Sequence, residues 1–306
     1  MMIIDRMQTE DRCRFTRCSK LCNKEAKASN HYIHSLQLFA HRNHFIGIRI
    51  GYNKNRFDLL LKFEKNENGE KLMRCVTLSK NRKVWVEVLD NSTNLMEYAA
   101  EHFKKLLQLY QRKIKHLTFS GDNSDNILED YDFEVENLNK LEELKISSQM
   151  DVALYLSKTR RPLSKLRIGG EMDRSILTER KQIYQVWNNL SMPQTTITNQ
   201  QFLQLSSFNA CLNIGHLTER DIFNFIKSWQ NETVGKEVGC YEWMIPNNSS
   251  FDVVELFKLF GVILNHNIRS IAIKHNKGTH YNAKLSYMHN SYLKFEVIQK
   301  VDNILN

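Results

Sequence analysis

The sequence predicts an α/β fold in three parts, because the period of its apolar residues changes twice along the chain. Residues 1–30 have a helical period, residues 31–92 have the alternation of a short β-meander, and residues 93–306 alternate strands with amphipathic helices. The last part is predicted to form a solenoid, in which each strand and helix bury their apolar sides against neighbouring units. With 42% hydrophobic and 25% charged residues, the chain has the composition of an ordinary folded protein.

The N-terminal segment is predicted to form short helices. Phe15, Cys18 and Cys22 follow one another at steps of three and four residues, which places them on one face of a helix.

The next segment is predicted to be an antiparallel meander. Apolar residues alternate or cluster in Phe57–Phe63, Leu72–Leu78 and Val84–Leu89. Turn-forming residues separate these runs at Asn66–Gly69 and Ser79–Arg82, so neighbouring strands are expected to reverse direction.

From Leu95 onward helices and strands alternate. Leu95–Lys113 is the clearest predicted helix, since apolar residues recur along one helical stripe over most of its length. Short strands follow at intervals within the range of about 20 to 50 residues that is typical of solenoid units. The predicted strands are Ile114–Phe119, Leu141–Ile146, Lys165–Ile168, Ala210–Ile214, Cys240–Ile245 and Ser270–Ile273.

Three helix starts in the second half carry local signatures. Thr198 and Thr218 are each followed three residues later by a side chain that can reach back to the cap, Gln201 and Asp221. A looser start is predicted at Ser249, followed by Asp252. These signatures predict where helices begin and carry no chemistry.

The stretch Thr198–Trp229 resembles a known domain. It reads Thr-Asn-Gln-Gln-Phe-Leu-Gln-Leu, then Cys-Leu-Asn-Ile, then Leu-Thr-Glu-Arg-Asp-Ile-Phe-Asn-Phe-Ile-Lys-Ser-Trp, and is similar to the type 2 F-box-associated domain of nematode F-box proteins. The resemblance extends with less specificity over Ile114–Val301. Near the N-terminus, Ile3–Met7 and Asp11–Lys20 resemble the second half of an F-box, most specifically in the ending Cys-Ser-Lys.

The resemblance implies a non-catalytic substrate-recognition adaptor of a cullin-type (SCF) ubiquitin ligase, which binds a target protein for ubiquitination. The N-terminal helices would dock to a Skp-family adaptor and through it to a cullin. The positions that the resemblance assigns to this contact are Ile3, Ile4, Met7, Phe15, Cys18 and Leu21.

The start of the sequence differs from a complete F-box, which opens with a Leu-Pro-rich segment and a first helix. The sequence begins only after that helix, so an N-terminally truncated F-box is expected. The alternative is a leucine-rich-repeat-like interaction module that has lost adaptor binding.

Charge and hydropathy bear on other partners. The formal net charge is +9, which is compatible with nucleic acid, but the basic residues are scattered in short clusters and nucleic-acid binding is not expected. The N-terminus does not read as a signal peptide, and apolar runs such as Leu259–Leu264 are too short to span a bilayer. We therefore expect an intracellular protein, cytoplasmic or nuclear, with no membrane partner.

A metal or catalytic site is not predicted. Cys13, Cys18 and Cys22 lie near His31 and His34, but helical spacing favours core packing over a zinc site. The sequence has no nucleophile elbow, no phosphate-binding loop and no zinc-protease motif, so we predict neither catalytic residues nor a cofactor.

Two tryptophans are candidates for binding the target protein, because tryptophan is enriched at interface hot spots. Trp187 and Trp243 lie near turn residues and are predicted to be exposed. Trp229 ends the stripe Ile222–Trp229 and is predicted to lie in the core.

Overall fold

A computed structural model gives the fold. It describes residues 33–41, 45–51, 59–77, 82–120, 133, 135–146, 152–172, 177, 180–231, 237–264, 269–276, 281–288 and 291–299. The fold is mixed α/β, mostly β-sheet with few helices. The chain divides into two units, Met1–Arg161 and Pro162–Asn306. The predicted N-terminal helices lie outside the described residues, and the predicted three-part domain division stays a prediction.

The first unit contains seven described strands in the order β7-β6-β1-β2-β3-β4-β5. Strands β1 to β5 form an antiparallel meander, and β1, β6 and β7 run parallel. The elements are β1 (Ser35–His41), β2 (Phe45–Gly51), β3 (Leu59–Lys65), β4 (Lys71–Thr77), β5 (Arg82–Val88), α1 (Leu95–Tyr110), β6 (His116–Ser120), β7 (Glu143–Ile146) and α2 (Val152–Ser157).

The turn between β3 and β4 lies where the sequence predicted it. Gly69 has a φ of 80°, which favours glycine because it has no Cβ to clash. The side-chain oxygen of Asn66 accepts hydrogen bonds from the backbone N–H groups of Asn68 at 3.0 Å and Glu70 at 2.8 Å. These bonds satisfy backbone donors that the tight turn takes out of the ladder.

Helix α1 covers one face of the meander. Asn94 caps it, and Ala99, Phe103 and Leu107 are buried along one stripe. The ring of Phe63 on β3 packs edge-on against Tyr98 at 6.1 Å. The core of the first unit therefore includes the space between α1 and the strands.

The second unit contains another seven described strands, in the order β12-β13-β14-β11-β10-β9-β8. Strands β8 to β11 run parallel, while β14 is antiparallel to β11, and β12 to β14 pair antiparallel. The elements are β8 (Lys165–Ile168), a 3-10 turn (Lys181–Ile183), β9 (Asn189–Thr196), α3 (Asn199–Gln204), β10 (Asn209–Asn213), α4 (Glu219–Gln230), β11 (Cys240–Met244), α5 (Val253–Leu259), β12 (Ser270–Lys274), β13 (Tyr281–Met288) and β14 (Tyr292–Gln299).

The helix starts agree with the sequence at two positions and differ at the third. Both capping boxes, at Thr198 and Thr218, are present. Helix α5 is capped by Asp252, whose carboxylate accepts from the Val254 N–H at 2.8 Å. The predicted start at Ser249 is wrong, because its hydroxyl accepts from the Phe251 N–H in the preceding turn.

An aromatic cluster forms the core of the second unit. Phe225 on α4 stacks on Tyr241 at 5.2 Å, and Trp243 stacks on Phe295 of β14 at 6.2 Å. Each aromatic pair of this kind contributes about 0.5–1.5 kcal/mol of stability beyond the contribution of the area that it buries. The stripe Ile222–Trp229 is buried as predicted.

Trp243 requires a correction. Its predicted exposure is wrong, since its exposed fraction is 0%, and it is no longer a candidate for contacting a target. Successive residues of a strand point to opposite faces, so Tyr241 and Trp243 share the face that α4 covers, while Glu242 points to the other.

In the described part of the chain, the helices are too short or too polar to span a membrane.

Candidate functional site

One face of the second unit's sheet is packed by helices, and the other is solvent-facing. Along β9, β10 and β11, the buried residues Leu190, Leu212 and Tyr241 alternate with residues that are partly or fully exposed. We call the solvent-facing side the open face. It consists of two rows across the strands, Lys165-Asn189-Asn209-Cys240-Glu296-Lys284-Ala272 and Arg167-Ser191-Cys211-Glu242-Lys294-Ser286-Ser270. None of these side chains is buried.

Both acidic side chains of the open face already have a partner in the middle of the sheet. The Lys294 ammonium donates to the Glu296 carboxylate at 2.9 Å, and this bond raises the pKa of Lys294. Burial raises the pKa of Tyr292, and its hydrogen bond to Glu242 raises it further. The centre of the open face is therefore a hydrogen-bonded network of charged and neutral groups.

Two free thiols lie in this network. Burial raises the pKa of Cys240 to about 11; the Lys294 ammonium opposes this shift, and Glu242 and Glu296 add to it. Burial also raises the pKa of Cys211, aided by Glu242 and opposed by a hydrogen bond with Ser191. A raised pKa disfavours the thiolate, which is the reactive form, so neither position has the electrostatics of a reactive cysteine.

Trp187 lies at the start of β9 and is exposed, as predicted, with an exposed fraction of 58%. Its carbonyl accepts from the Phe208 N–H at 2.9 Å, and Phe208 is itself 41% exposed at the start of β10. The Phe208 ring covers Gly239, where an added Cβ would lie 2.3 Å from its Cε1 atom. Two exposed aromatic residues thus lie at neighbouring strand starts, and Trp187 stays a candidate for target contact.

The positions assigned to the Skp-family adaptor all lie outside the described residues. They are Ile3, Ile4, Met7, Phe15, Cys18 and Leu21. Their role stays a prediction.

The N-terminal region also contains the cysteine and histidine residues that are candidates for a zinc site. Cys13, Cys18, Cys22 and His31 also fall outside the described residues. Within the rest of the chain that the structure describes, no group of three His, Cys, Asp or Glu side chains is placed to hold a metal ion.

Sequence reasoning missed the charged residues of the open face. Arg167 was part of a predicted strand, but Lys284, Lys294 and Glu296 lie on β13 and β14, which were not predicted. The signal was present, because β14 alternates the buried Leu293 and Phe295 with these polar residues.

No family model, curated protein or solved structure matches the chain.

Proposed function

We propose that the chain is the non-catalytic substrate-recognition adaptor of a cullin-type ubiquitin ligase and that it holds a target protein on the open face. The open face carries this proposal: it extends over seven strands, and none of the 14 side chains of its two rows is buried. Strands fix such side chains at regular spacing on a rigid support, which lowers the entropy lost on binding. The ligase would gain rate by bringing the target close to a ubiquitin-charged enzyme.

The finer architecture that we propose is a leucine-rich-repeat-like solenoid. Strands β8 to β11 are neighbours in chain order, and α3 and α4 lie in the connections between them. This arrangement supports the proposal because solenoids repeat one strand and one helix per unit and bind partners on the exposed strands.

The contact with the ligase rests on the N-terminal resemblance. The test is co-precipitation of the full chain with a purified Skp-family adaptor and cullin, beside a variant in which Ile3, Ile4 and Met7 are replaced by alanine. We expect the unaltered chain to bind and the variant to lose binding. Trp187→Ala is the matched control, since it truncates an exposed residue of the second unit and should leave adaptor binding unchanged. Failure of the unaltered chain to bind would leave an interaction module without a ligase partner.

The contact with the target is tested separately by photo-crosslinking. A crosslinking amino acid is placed at Ser191 on the open face and, as control, at Arg220, an exposed position on α4. We expect the probe at Ser191 to capture a protein whose amount rises when the proteasome is inhibited. Equal capture from both positions, or a captured protein insensitive to inhibition, would contradict the proposal.

A further inference from the structure

The charge on the open face is unbalanced. Its two rows contain the basic residues Lys165, Arg167, Lys284 and Lys294 and the acidic residues Glu242 and Glu296. The surplus is therefore positive.

The surplus charge is also divided in space. In the middle of the sheet, the Lys294 ammonium forms an ion pair with the Glu296 carboxylate at 2.9 Å. Arg167 on β8 and Lys284 on β13 are exposed and have no ion pair with any residue that the structure describes. Within the two rows, Arg167 and Lys284 thus lie on two separate strands.

The distance between these strands follows from the sheet geometry. Going from β8 to β13 takes five steps, through β9, β10, β11 and β14. At about 4.8 Å per step, the two basic positions are about 24 Å apart across the strands. An extended polypeptide advances about 3.3 Å per residue, so about seven residues cover this distance.

We propose that the open face binds an extended acidic segment of the target, which runs across the strands with two acidic positions about seven residues apart. One contacts Arg167 on β8, and the other contacts Lys284 on β13. The residues between them lie over Ser191, the thiols and the hydrogen-bonded centre of the face, where Glu242 and Glu296 favour neutral residues of the segment. This inference rests on the proposed function, in which the open face holds the target.

The charge pattern favours a polypeptide over a nucleic acid. A nucleic acid carries a negative charge at every nucleotide and binds best to a continuous positive groove. Here Glu242 and Glu296 occupy the middle of the face, where a phosphate backbone would meet them. A polypeptide avoids this repulsion because its acidic residues can be separated by neutral ones.

The test uses fluorescent peptides of the form Glu-Glu-spacer-Glu-Glu, in which the spacer has one, five or nine Gly and Ser residues. A spacer of five places the two pairs seven residues apart, and we expect that peptide to bind the full chain most tightly in fluorescence anisotropy. The double variant Arg167→Glu with Lys284→Glu should weaken it by about tenfold or more at low salt. The matched control Arg220→Glu with Lys258→Glu makes the same change in net charge on α4 and α5, and should change the affinity by less than about twofold.

Three results would overturn the inference: affinity that does not depend on the spacer, equal weakening by the two double variants, or a single-stranded oligonucleotide that binds more tightly than the best peptide. The photo-crosslink at Ser191 separates this failure from that of the proposed function. If it still captures the target when the peptides do not bind, the open face binds the target by other chemistry. If it captures nothing, both proposals fail.

Discussion

Alanine at Trp243 is expected to destabilise the chain by about 3–5 kcal/mol, whereas alanine at Trp187 should cost about 1 kcal/mol or less. Both residues lie near turn residues in the sequence, and both were therefore predicted to be exposed. The structure separates them, because Trp243 is 0% exposed and Trp187 is 58% exposed.

The difference in magnitude follows from burial. A fully buried tryptophan removes up to about 250 Å² from water, which at about 25 cal/mol per Å² gives an upper value near 6 kcal/mol. Trp243 also stacks on Phe295 at 6.2 Å and meets Phe225 edge-on at 6.1 Å, so its removal leaves a closed cavity. Removing the exposed Trp187 leaves no such cavity and exposes little new apolar surface.

The assay is urea unfolding of the full chain, followed by far-UV circular dichroism with the slope of each transition compared between variants. Trp243→Phe is the control: it keeps an aromatic ring and removes an indole N–H that has no acceptor among the residues described, so it should cost less than about 1.5 kcal/mol. The reasoning is refuted if Trp187→Ala costs as much as Trp243→Ala, or if Trp243→Ala lowers the free energy of unfolding by less than about 1 kcal/mol.

Four further predictions concern the second unit. Thr218→Ala removes a cap that accepts from the Asp221 N–H at 3.2 Å and should lower the free energy of unfolding by about 1 kcal/mol in the same urea assay. Gly239→Ala should cost about 1–3 kcal/mol, because the new methyl group would lie 2.3 Å from Phe208 Cε1 and 2.8 Å from Asn209 Oδ1; combining it with Phe208→Ala should remove only the part of the cost that comes from the ring. Cys240, with a pKa of about 11, should react with iodoacetamide at pH 8 on the order of 100-fold more slowly than an exposed thiol, as read by peptide mass spectrometry. Because the folded state keeps that thiol protonated while the unfolded state ionises from about pH 9, its contribution to stability should be lost as pH rises from about 9 to 11.

Local signals predicted elements well where one rule dominated. The capping boxes at Thr198 and Thr218 set helix starts, because they depend only on residues within one turn. Strand β9 was missed because Pro193 interrupts it, and proline normally argues against a strand within a sheet. The antiparallel return of β14 to β11 depends on pairing between distant parts of the chain, which no local pattern encodes.

The candidate site was less predictable than the fold for a related reason. Trp243 was assigned to the surface from the turn residues that follow it, while the alternation within Cys240–Met244 places it opposite Glu242. When one face of a strand is covered, the alternation of its side chains predicts burial better than nearby turn residues do. A shift of the strand by one residue would bury its charged side chains. Applying that rule first would have identified the residues of the open face on every strand that was predicted.

The same alternation separates the two tasks of these strands. Tyr241 and Trp243 hold the core, so substitutions there are expected to change stability first. Arg167 and Lys284 are exposed and support no buried contact, so reversing their charges should cost about 1 kcal/mol or less, most of it from the like-charge pair that Lys284→Glu makes with Glu296 on the neighbouring strand. The Arg167→Glu, Lys284→Glu variant can therefore separate recognition from folding. If it loses peptide binding while its free energy of unfolding is unchanged, the loss reports on recognition alone, because the residues that specify the fold lie on the opposite face of the same strands.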